Sequence, residues 1–290
     1  MINQVTKARI EQLTSQYQEL VANNADALVE IALAEVAESV HESNAIENST
    51  LTFQDTERIL AGVLPSRVHD LREVYEAANL ASVTKEMLTS SESLSQDLIL
   101  RWHRILMTNL RDDIAGRYRR YGEWVRVGSH LGANPEYVSI LMDEAMDHYS
   151  RTVAGYFLDD IARFHCEFEI IHPFADGNGR IGRVLINKQL VDQGLPPIIV
   201  RAKNKHTDYY PYLEKYSGTG SHDGMTRLLS LLVQESLHKR IALLTSQRII
   251  PLTQWSAMKN LPPATTINKA KRQTIPAFRM RGRWMISAQS

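Results

Sequence analysis

Apolar residues recur at helical spacing along most of the chain, and this pattern predicts a mainly α protein. Residues 5–42 follow it, with a break and a cap between Asn23 and Asp26, and a further short helix is expected within 43–51. Pro65 marks the boundary between two later helices. The remaining predicted helices cover residues 55–63, 66–89, 96–109, 135–150, 157–171, 181–193, 207–216 and 222–244.

Residues 116–131 depart from the helical pattern. Gly122 and Gly128 flank a partly alternating run from Trp124 to Val127, which predicts a short β-hairpin. The simplest alternative is an ordinary surface hairpin without a role in function.

The last forty residues predict a separate small module. Two helices are expected at 252–260 and 264–272, on either side of Leu261-Pro262-Pro263. A hairpin over 275–286, turning at Gly282, follows them. The expected domains are an N-terminal helical region (1–54), a core (55–245) and this module (252–290).

Composition describes an ordinary globular protein, with 290 residues, 43% hydrophobic and 23% charged. The net charge of zero conceals an asymmetry. Residues 251–290 hold seven Lys or Arg and no acid, so this segment is +7 and residues 1–250 are −7 by difference. A basic end of this kind is typical of a surface that binds nucleic acid.

The single cysteine excludes an intrachain disulfide and fits a reducing compartment. We interpret Cys166 as a buried small apolar side chain rather than a nucleophile. The N-terminal residues contain no apolar signal region, and no run of 18 apolar residues exists. The sequence therefore predicts a cytoplasmic protein that does not interact with a membrane.

The segment from His172 to Arg183 reads HPFADGNGRIGR and carries the main candidate chemistry. Glycines in such a turn leave backbone N–H groups free to converge on an anion, and the helix start that follows adds its positive dipole end. Arg180 and Arg183 are neighbours on one helix face, and guanidinium groups suit phosphate oxygens. The segment therefore predicts a phosphate site.

Three further side chains complete this site. Asp176 offers a hard carboxylate oxygen, which Mg²⁺ prefers together with substrate phosphates. His172 is able to accept a proton near neutral pH. Phe174 is expected to point inward and anchor the loop.

The same segment resembles the signature H-x-F-x-(D/E)-G-N-G-R-x-x-R of Fic-domain proteins. Eight positions match: His172, Phe174, Asp176, Gly177, Asn178, Gly179, Arg180 and Arg183. The chain resembles Fic protein adenylyltransferases, which move AMP from ATP to a Ser, Thr or Tyr hydroxyl of a target protein and release pyrophosphate. The resemblance covers about residues 40–240 and implies a helical Fic core in which the 116–131 hairpin is a flap that docks the target.

The resemblance also implies roles for single residues. His172 would be the catalytic base, and Asp176 would hold Mg²⁺ on the phosphates. The turn of Gly177, Asn178 and Gly179 would cradle the phosphates, with Arg180 on the β-phosphate and Arg183 on the γ-phosphate. Tyr209 and Tyr210 stand where relatives place adenine contacts. Ser217 stands near a position that is often a ribose-binding asparagine, so that contact is in doubt.

A second motif lies upstream. Ser43, Glu47 and Asn48 fit the inhibitory motif of Fic proteins, a Ser or Thr followed four residues later by Glu and then Gly or Asn. Ser43 and Glu47 are one helical turn apart and share a face. The resemblance implies that Glu47 pairs with Arg183 and keeps it from the γ-phosphate.

The basic module resembles the winged helix-turn-helix of excisionase-like proteins. Lys269, Lys271 and Arg272 lie on its second helix, and Arg281 and Arg283 flank the wing. Such a module would bind DNA, or it would keep the fold to form a dimer or recruit a target.

Three hypotheses about the function remain open at this point. The first is AMP transfer held in check by Glu47. The second is removal of AMP from a modified protein, or transfer of another phosphate-containing group. The third is a DNA-binding regulator whose Fic core only senses nucleotide. An intact His172 favours catalysis, because binding ATP alone needs no base.

Overall fold

The structure is a computed structural model that describes residues 2–65, 70–128, 130–151, 155–245 and 248–290. These residues are mainly helical, as predicted. Within these ranges, no helix combines the length and the apolar character needed to cross a membrane.

Two helices form the N-terminal region. Helix α1 (Gln4–Val21) begins at a cap in which the Asn3 side chain accepts the Thr6 N–H, and α2 (Ala25–Ile46) follows the predicted break. The separate short helix expected within 43–51 is wrong. No Gly or Pro interrupts α2 before Ile46, and the helix continues until Glu47 caps it.

Buried ion pairs fasten α2 to the rest of the core. Glu35 accepts from Arg240 at 2.8 Å and lies 2.5 Å from the Lys239 ammonium. Arg201 donates to Glu38 at 2.5 Å. Partners that are this well matched hold α2 in one orientation.

The next three helices begin at side-chain caps. Thr52 and Asp55 form a reciprocal capping box at the start of the first, and Asp70 and Ser95 cap the other two. The prediction for 66–89 began too early, because Asp70 caps the helix at Leu71; residues 66–69 lie outside the described part of the chain. The three helices are α3 (Phe53–Leu60), α4 (Leu71–Thr89) and α5 (Gln96–Met107).

The predicted hairpin is present but very short. Strands β1 (Arg126–Val127) and β2 (His130–Leu131) pair antiparallel, and Gly122 and Gly128 have the positive φ values of 83° and 56° that glycine tolerates. Ser129, between the strands, lies outside the described residues.

The central helices follow. A 3-10 turn (Pro135–Tyr137) leads into α6 (Val138–Ser150), and α7 (Phe157–Ile171) then runs to the signature segment. Helix α8 (Asn178–Asp192) begins three residues earlier than predicted, because Gly177, with φ of 83°, already serves as its N-cap.

Two helices complete the core. Residues 205–209 form a π-helical turn before α9 (Tyr210–Thr219), so the helix predicted at 207–216 is displaced by three residues. Helix α10 (Asp223–Leu244) closes the core.

Helix α8 lies between two apolar clusters. Its residues Ile181 and Leu185 join a cluster with Trp102 and Phe168, whereas Ile186 and Leu190 join a cluster on the opposite side. Because α8 is packed on several faces, the residues at its start are held rigidly.

The C-terminal module has its own small core. Strand β3 (Ile249–Pro251), which was not predicted, leads into the two predicted helices. Arg281 and Gly282, both with positive φ, turn the predicted wing as in a type I′ hairpin. The later elements are α11 (Leu252–Met258), α12 (Pro263–Lys271), β4 (Phe278–Met280) and β5 (Arg283–Ser287), and the sheet order is β3-β5-β4.

A buried contact joins this module to α10. The side-chain nitrogen of Gln273 donates to two carbonyl groups, so its Oε1 is left to accept from Nδ1 of His238 at 2.8 Å. The Glu235 carboxylate accepts the Arg279 backbone N–H at 3.1 Å. The wing also contacts α2 and α3, where Glu38 accepts from Gly282 and Glu57 pairs with Arg281.

The His238 contact predicts acid sensitivity. Burial lowers the pKa of His238 to about 4, and the nearby Arg9 lowers it further while the Gln273 bond opposes the shift. The unfolded chain therefore binds a proton at this site that the folded chain excludes. The stabilisation is complete above a pH of about 6.5 and is lost as the pH falls toward 4, at about 1.4 kcal/mol per pH unit.

Urea unfolding of the parent protein and of His238→Gln between pH 7.5 and 4.5 measures this contribution. The free energy of unfolding should fall less steeply with acid in the variant. If the free energy of unfolding has the same pH dependence in the two proteins, His238 is not the source of the acid sensitivity.

Candidate active site

His172 ends α7 in a left-handed conformation, with φ of 50° and its N–H bonded to the Phe168 carbonyl at 2.9 Å. Its ring Nδ1 lies 3.2 Å from the Glu169 carbonyl oxygen. A carbonyl only accepts, so Nδ1 carries the hydrogen and Nε2 presents a lone pair. Burial lowers the His172 pKa to about 4. The ring is therefore neutral at pH 7 and able to accept a proton.

The loop after His172 is closed by its own side chains. Phe174 is fully buried, as predicted, and stacks on His103 with ring centroids 3.7 Å apart. The Asn178 side chain accepts the Phe174 N–H at 2.8 Å and donates to the Phe174 carbonyl at 2.7 Å. Asn178 also belongs to the predicted phosphate-binding turn, and that contact stays a prediction; its side chain braces the loop that presents the site.

Removing this anchor has a predictable cost. Phe174→Ala is expected to lower the free energy of unfolding by about 3–5 kcal/mol, because it deletes a buried ring from a packed cluster. Thermal or urea unfolding measures the loss. Phe53→Ala is the matched control, since Phe53 is only partly buried, and it should cost clearly less. A loss below 1 kcal/mol for Phe174→Ala would argue against the anchoring role.

The start of α8 has the features that suit an anion. No side chain caps this helix, so the backbone N–H groups of its first turn remain available at the positive end of the dipole. At Gly179 an added Cβ would overlap the Glu47 carboxylate and lie 3.0 Å from Arg183. A residue larger than glycine would therefore disturb both side chains.

Asp176 lies within a cluster of opposite charges. Its Oδ2 accepts from Arg72 at 2.9 Å, and its Oδ1 accepts from Arg180 at 3.0 Å and from the Gly177 N–H at 2.6 Å. Glu76 lies 3.0 Å from Arg72 and 3.3 Å from Arg180. Arg180, predicted to bind phosphate, is thus held between two carboxylates beside the start of α8.

Asp176 is also the predicted magnesium ligand. Among the described residues, no group of three His, Cys, Asp or Glu side chains is arranged to hold a metal ion. A single hard carboxylate fits Mg²⁺ that is bound largely through nucleotide phosphates and water.

Arg183 is buried and bonded to the end of α2. Its Nε donates to Ser43 Oγ at 2.9 Å, and a terminal nitrogen donates to the Ser43 carbonyl at 3.0 Å and to Glu47 Oε1 at 2.8 Å. Burial raises the pKa of Glu47, but the Arg183 charge outweighs it and the net pKa is lowered. Glu47 is therefore ionised, and the predicted pair forms a charge-assisted bond.

The hairpin is tied to the backbone at His172. The buried Arg119 donates to the His172 carbonyl at 2.8 Å and to the Ala133 carbonyl at 2.8 Å. A Cβ at Gly132 would lie 3.2 Å from Cβ of His172. The segment after β2 therefore passes directly beside the candidate base.

The other predicted site residues lie in different surroundings. Tyr209 is buried, with its hydroxyl 2.8 Å from His165 Nε2, and its adenine contact stays a prediction. Tyr210 is partly buried and donates to the Ile46 carbonyl, whereas Ser217 is exposed. Cys166 is a free, fully buried thiol, as predicted.

Sequence reasoning missed several residues around the site. Arg72, Glu76 and Arg119 contact the signature segment from distant parts of the chain, and Glu169 lies behind His172. Arg72 and Glu76 are spaced as an ion pair on one helix face, which was the only local signal. Nothing local links that pair to Asp176, which lies 104 residues further along the chain.

Comparison with known proteins shows what this part of the chain is similar to. Residues 93–190 match the model of the Fic/DOC family. This stretch of the chain is similar to Fic domains. Over 183 residues it is 33% identical to the protein adenylyltransferase Fic of Nematostella vectensis. The matched region is 61% of this chain but only 42% of the relative, so the chain spans about two fifths of that relative's length.

Solved structures share the fold. A Fic-domain signaling protein from Bacteroides thetaiotaomicron superposes with a TM-score of 0.70 at 22% identity, covering 82% of this chain and 97% of that chain. A Fic family protein from Desulfovibrio desulfuricans gives a TM-score of 0.68 at 22% identity, covering 99% and 97%. At this identity the likeness concerns the fold, and it supports the predicted mainly α Fic architecture.

Proposed function

We propose that this Fic domain transfers AMP from ATP to a hydroxyl side chain of a target protein. The observation that carries the proposal is the neutral His172, whose Nε2 lone pair is free beside the uncapped start of α8. A proton acceptor next to an anion site is what attack by a hydroxyl on a phosphate requires. The names of the curated relatives support the same reaction class.

In the proposed step, the target oxygen forms a bond to the α-phosphorus. The bond from the α-phosphorus to the bridging oxygen of the β-phosphate breaks, and pyrophosphate leaves with that electron pair. The hydroxyl proton moves to Nε2 of His172. Nδ1 keeps its hydrogen on the Glu169 carbonyl, so the ring holds its orientation while it becomes charged.

The phosphates would lie against the first turn of α8. Arg180 and Arg183 start at this end of the helix, and each needs to exchange a carboxylate partner for a phosphate oxygen. Mg²⁺, when bound, neutralises charge on the phosphates, and Asp176 is the side chain that would hold it. To hold the metal, Asp176 would have to give up its ion pair with Arg72.

Glu47 would act as an inhibitor of this reaction. While Arg183 is bonded to Ser43 and Glu47, it is not available to a γ-phosphate. ATP bound without that contact would present its α-phosphate out of line for attack, and a displacement of about 1 Å can cost about 10²-fold in rate.

Removal of AMP is the alternative within the same site. The side chain of Glu47 is 41% exposed, although one of its oxygens is bonded to Arg183. A carboxylate in that position is suited to orient a water molecule. Removal of AMP would use the same residues as AMP transfer, but the acceptor would be water instead of a target hydroxyl.

The role of the C-terminal module stays a prediction. Lys269, Lys271 and Arg272 are exposed on and just after α12, as contact with DNA phosphates would require. Arg281 instead pairs with Glu57. Dimer formation and recruitment of a target are the competing proposals for this surface.

The test uses purified protein and its Glu47→Gly variant with Mg²⁺ and ATP labelled on the α- or the γ-phosphate. Protein that is labelled only from α-labelled ATP supports AMP transfer. Label from γ-labelled ATP alone would replace the proposal with phosphate transfer. If neither label is incorporated, release of AMP from a pre-adenylylated protein tests the reverse direction.

A further inference from the structure

Glu169 is a buried acid that the proposed step does not use. It lies on α7, three residues before His172, and its side chain is only 7% exposed. Its Oε1 is buried without a hydrogen-bond partner among the described residues. Its Oε2 lies 3.9 Å from Nδ1 of His172, the nitrogen that carries the hydrogen. A buried carboxyl group with an unsatisfied oxygen is uncommon in a folded protein and calls for an explanation.

The groups around this carboxyl come from several elements. An added Cβ at Gly182 of α8 would overlap Glu169 Oε1, so this glycine makes room for the carboxyl. Arg183, also on α8, attracts its negative charge, and Glu47, at the end of α2, repels it. The neutral rings of His165 and Tyr209 lie in the same buried cluster, and they supply no net charge.

We propose that Glu169 is a positioning residue that sets the basicity of His172 from behind the ring. Its main-chain carbonyl fixes the Nδ1 hydrogen, and its carboxylate, when ionised, stabilises the positive charge that His172 acquires as it takes the target proton. The inference rests on the proposed function, because it assigns His172 the role of base.

The charge state of Glu169 decides when this support is available. Burial raises the Glu169 pKa to about 8, Arg183 opposes the rise and Glu47 adds to it. At pH 7 the carboxyl is mostly protonated, and His172 is a weak base with a pKa of about 4, lowered also by Arg119 and His130. Loss of the Glu47 charge moves the ionisation of Glu169 to lower pH, and His172 gains a negative neighbour. Glu47 itself raises the His172 pKa, so its loss removes one negative neighbour of the ring, and the ionised Glu169, 3.9 Å from Nδ1, supplies another in its place.

The first measurement needs no enzymatic activity. Histidines are labelled with ¹⁵N, the His172 signals are assigned with His172→Gln, and the ring shifts are followed from pH 5 to 10. We expect an inflection near pH 8 in the parent protein, a shift of that inflection to lower pH in Glu47→Gly, and no inflection in Glu169→Gln. Glu167→Gln is the matched control, because Glu167 lies on the same helix but contacts His148 and Tyr216; it should retain the inflection.

The second measurement is the rate of AMP transfer in the Glu47→Gly background. Adding Glu169→Gln should remove the rise in kcat with pH and leave kcat about tenfold lower above the inflection, as a change of one pKa unit implies. The KM for ATP should be unchanged, which separates this role from a loss of structure.

The outcomes are distinguishable. Parent and Glu169→Gln proteins with the same His172 titration would overturn the inference. If Glu169→Gln does not fold, the shift of the inflection in Glu47→Gly decides alone, and an unmoved inflection would overturn it. If the His172 titration behaves as expected but no variant transfers AMP, the contact stands and the proposed function fails.

Discussion

Replacing His172 with alanine is expected to abolish AMP transfer while ATP still binds. A positioned general base contributes about 10²–10⁴-fold, and a loss of that size is expected in kcat. In this structure, Nε2 of His172 is the free lone pair of a neutral ring beside the start of α8. The proposed phosphate contacts come from Arg180, Arg183 and the α8 backbone, which the substitution leaves in place.

The measurement pairs α-labelled ATP incorporation with calorimetric ATP binding, both in the Glu47→Gly background. His148→Ala is the matched control, because His148 is exposed and lies away from the loop, and its rate should be unaffected. Transfer that survives in His172→Ala at more than about one tenth of the parent rate would exclude His172 as the base. Loss of ATP binding together with transfer would assign His172 to the nucleotide site instead.

The second large effect is expected from Glu47→Gly. We expect transfer to rise by about 10²-fold, because Arg183 loses its carboxylate partner and becomes able to bind the γ-phosphate. Ser43 still contacts Arg183 in this variant through its hydroxyl and its carbonyl, but neither group carries a charge. The γ-phosphate should therefore be able to displace Ser43 from Arg183.

Two control variants isolate the cause. Glu47→Gln removes the charge but keeps the length of the side chain, and it should give an intermediate rise. Glu30→Gly places a glycine at an exposed position of the same helix, and it tests whether weakening α2 is sufficient. Equal rates in Glu47→Gly and the parent protein, with both folded, would refute inhibition by Glu47.

The local parts of the site could be predicted from the sequence. The turn at Gly177, the inward Phe174 and the helix that carries Arg183 all follow from short-range rules on glycine, burial and helix starts. The pairing of Glu47 with Arg183 needed the resemblance to Fic proteins, because 136 residues separate the two. The start of α8 was misplaced by three residues, since glycine and asparagine read as a loop until Gly177 is recognised as the cap.

The surrounding contacts could not be predicted in the same way. Arg72 reaches Asp176 from α4, and Arg119 reaches His172 from the flap, through tertiary packing that no periodicity encodes. Glu169 lies close to the signature in sequence, but its position in the helical spacing of α7 indicates only a residue that faces the core. The burial of its carboxyl behind His172 appears only when α7 and α8 are packed together.

The ion pairs along α2 have a mechanical consequence. Glu35 and Glu38 bond this helix to the core near its middle, so a movement of the whole helix that withdrew Glu47 would have to break both ion pairs. Contacts continue into its last turn, where Tyr210 and Lys205 donate to the Ile46 carbonyl, so withdrawal of Glu47 by movement of this turn would break these bonds as well. The same Glu38 accepts the backbone N–H of Gly282 in the wing, which ties the C-terminal module to α2. A single helix therefore contacts both the wing, through Glu38, and Arg183, through Glu47.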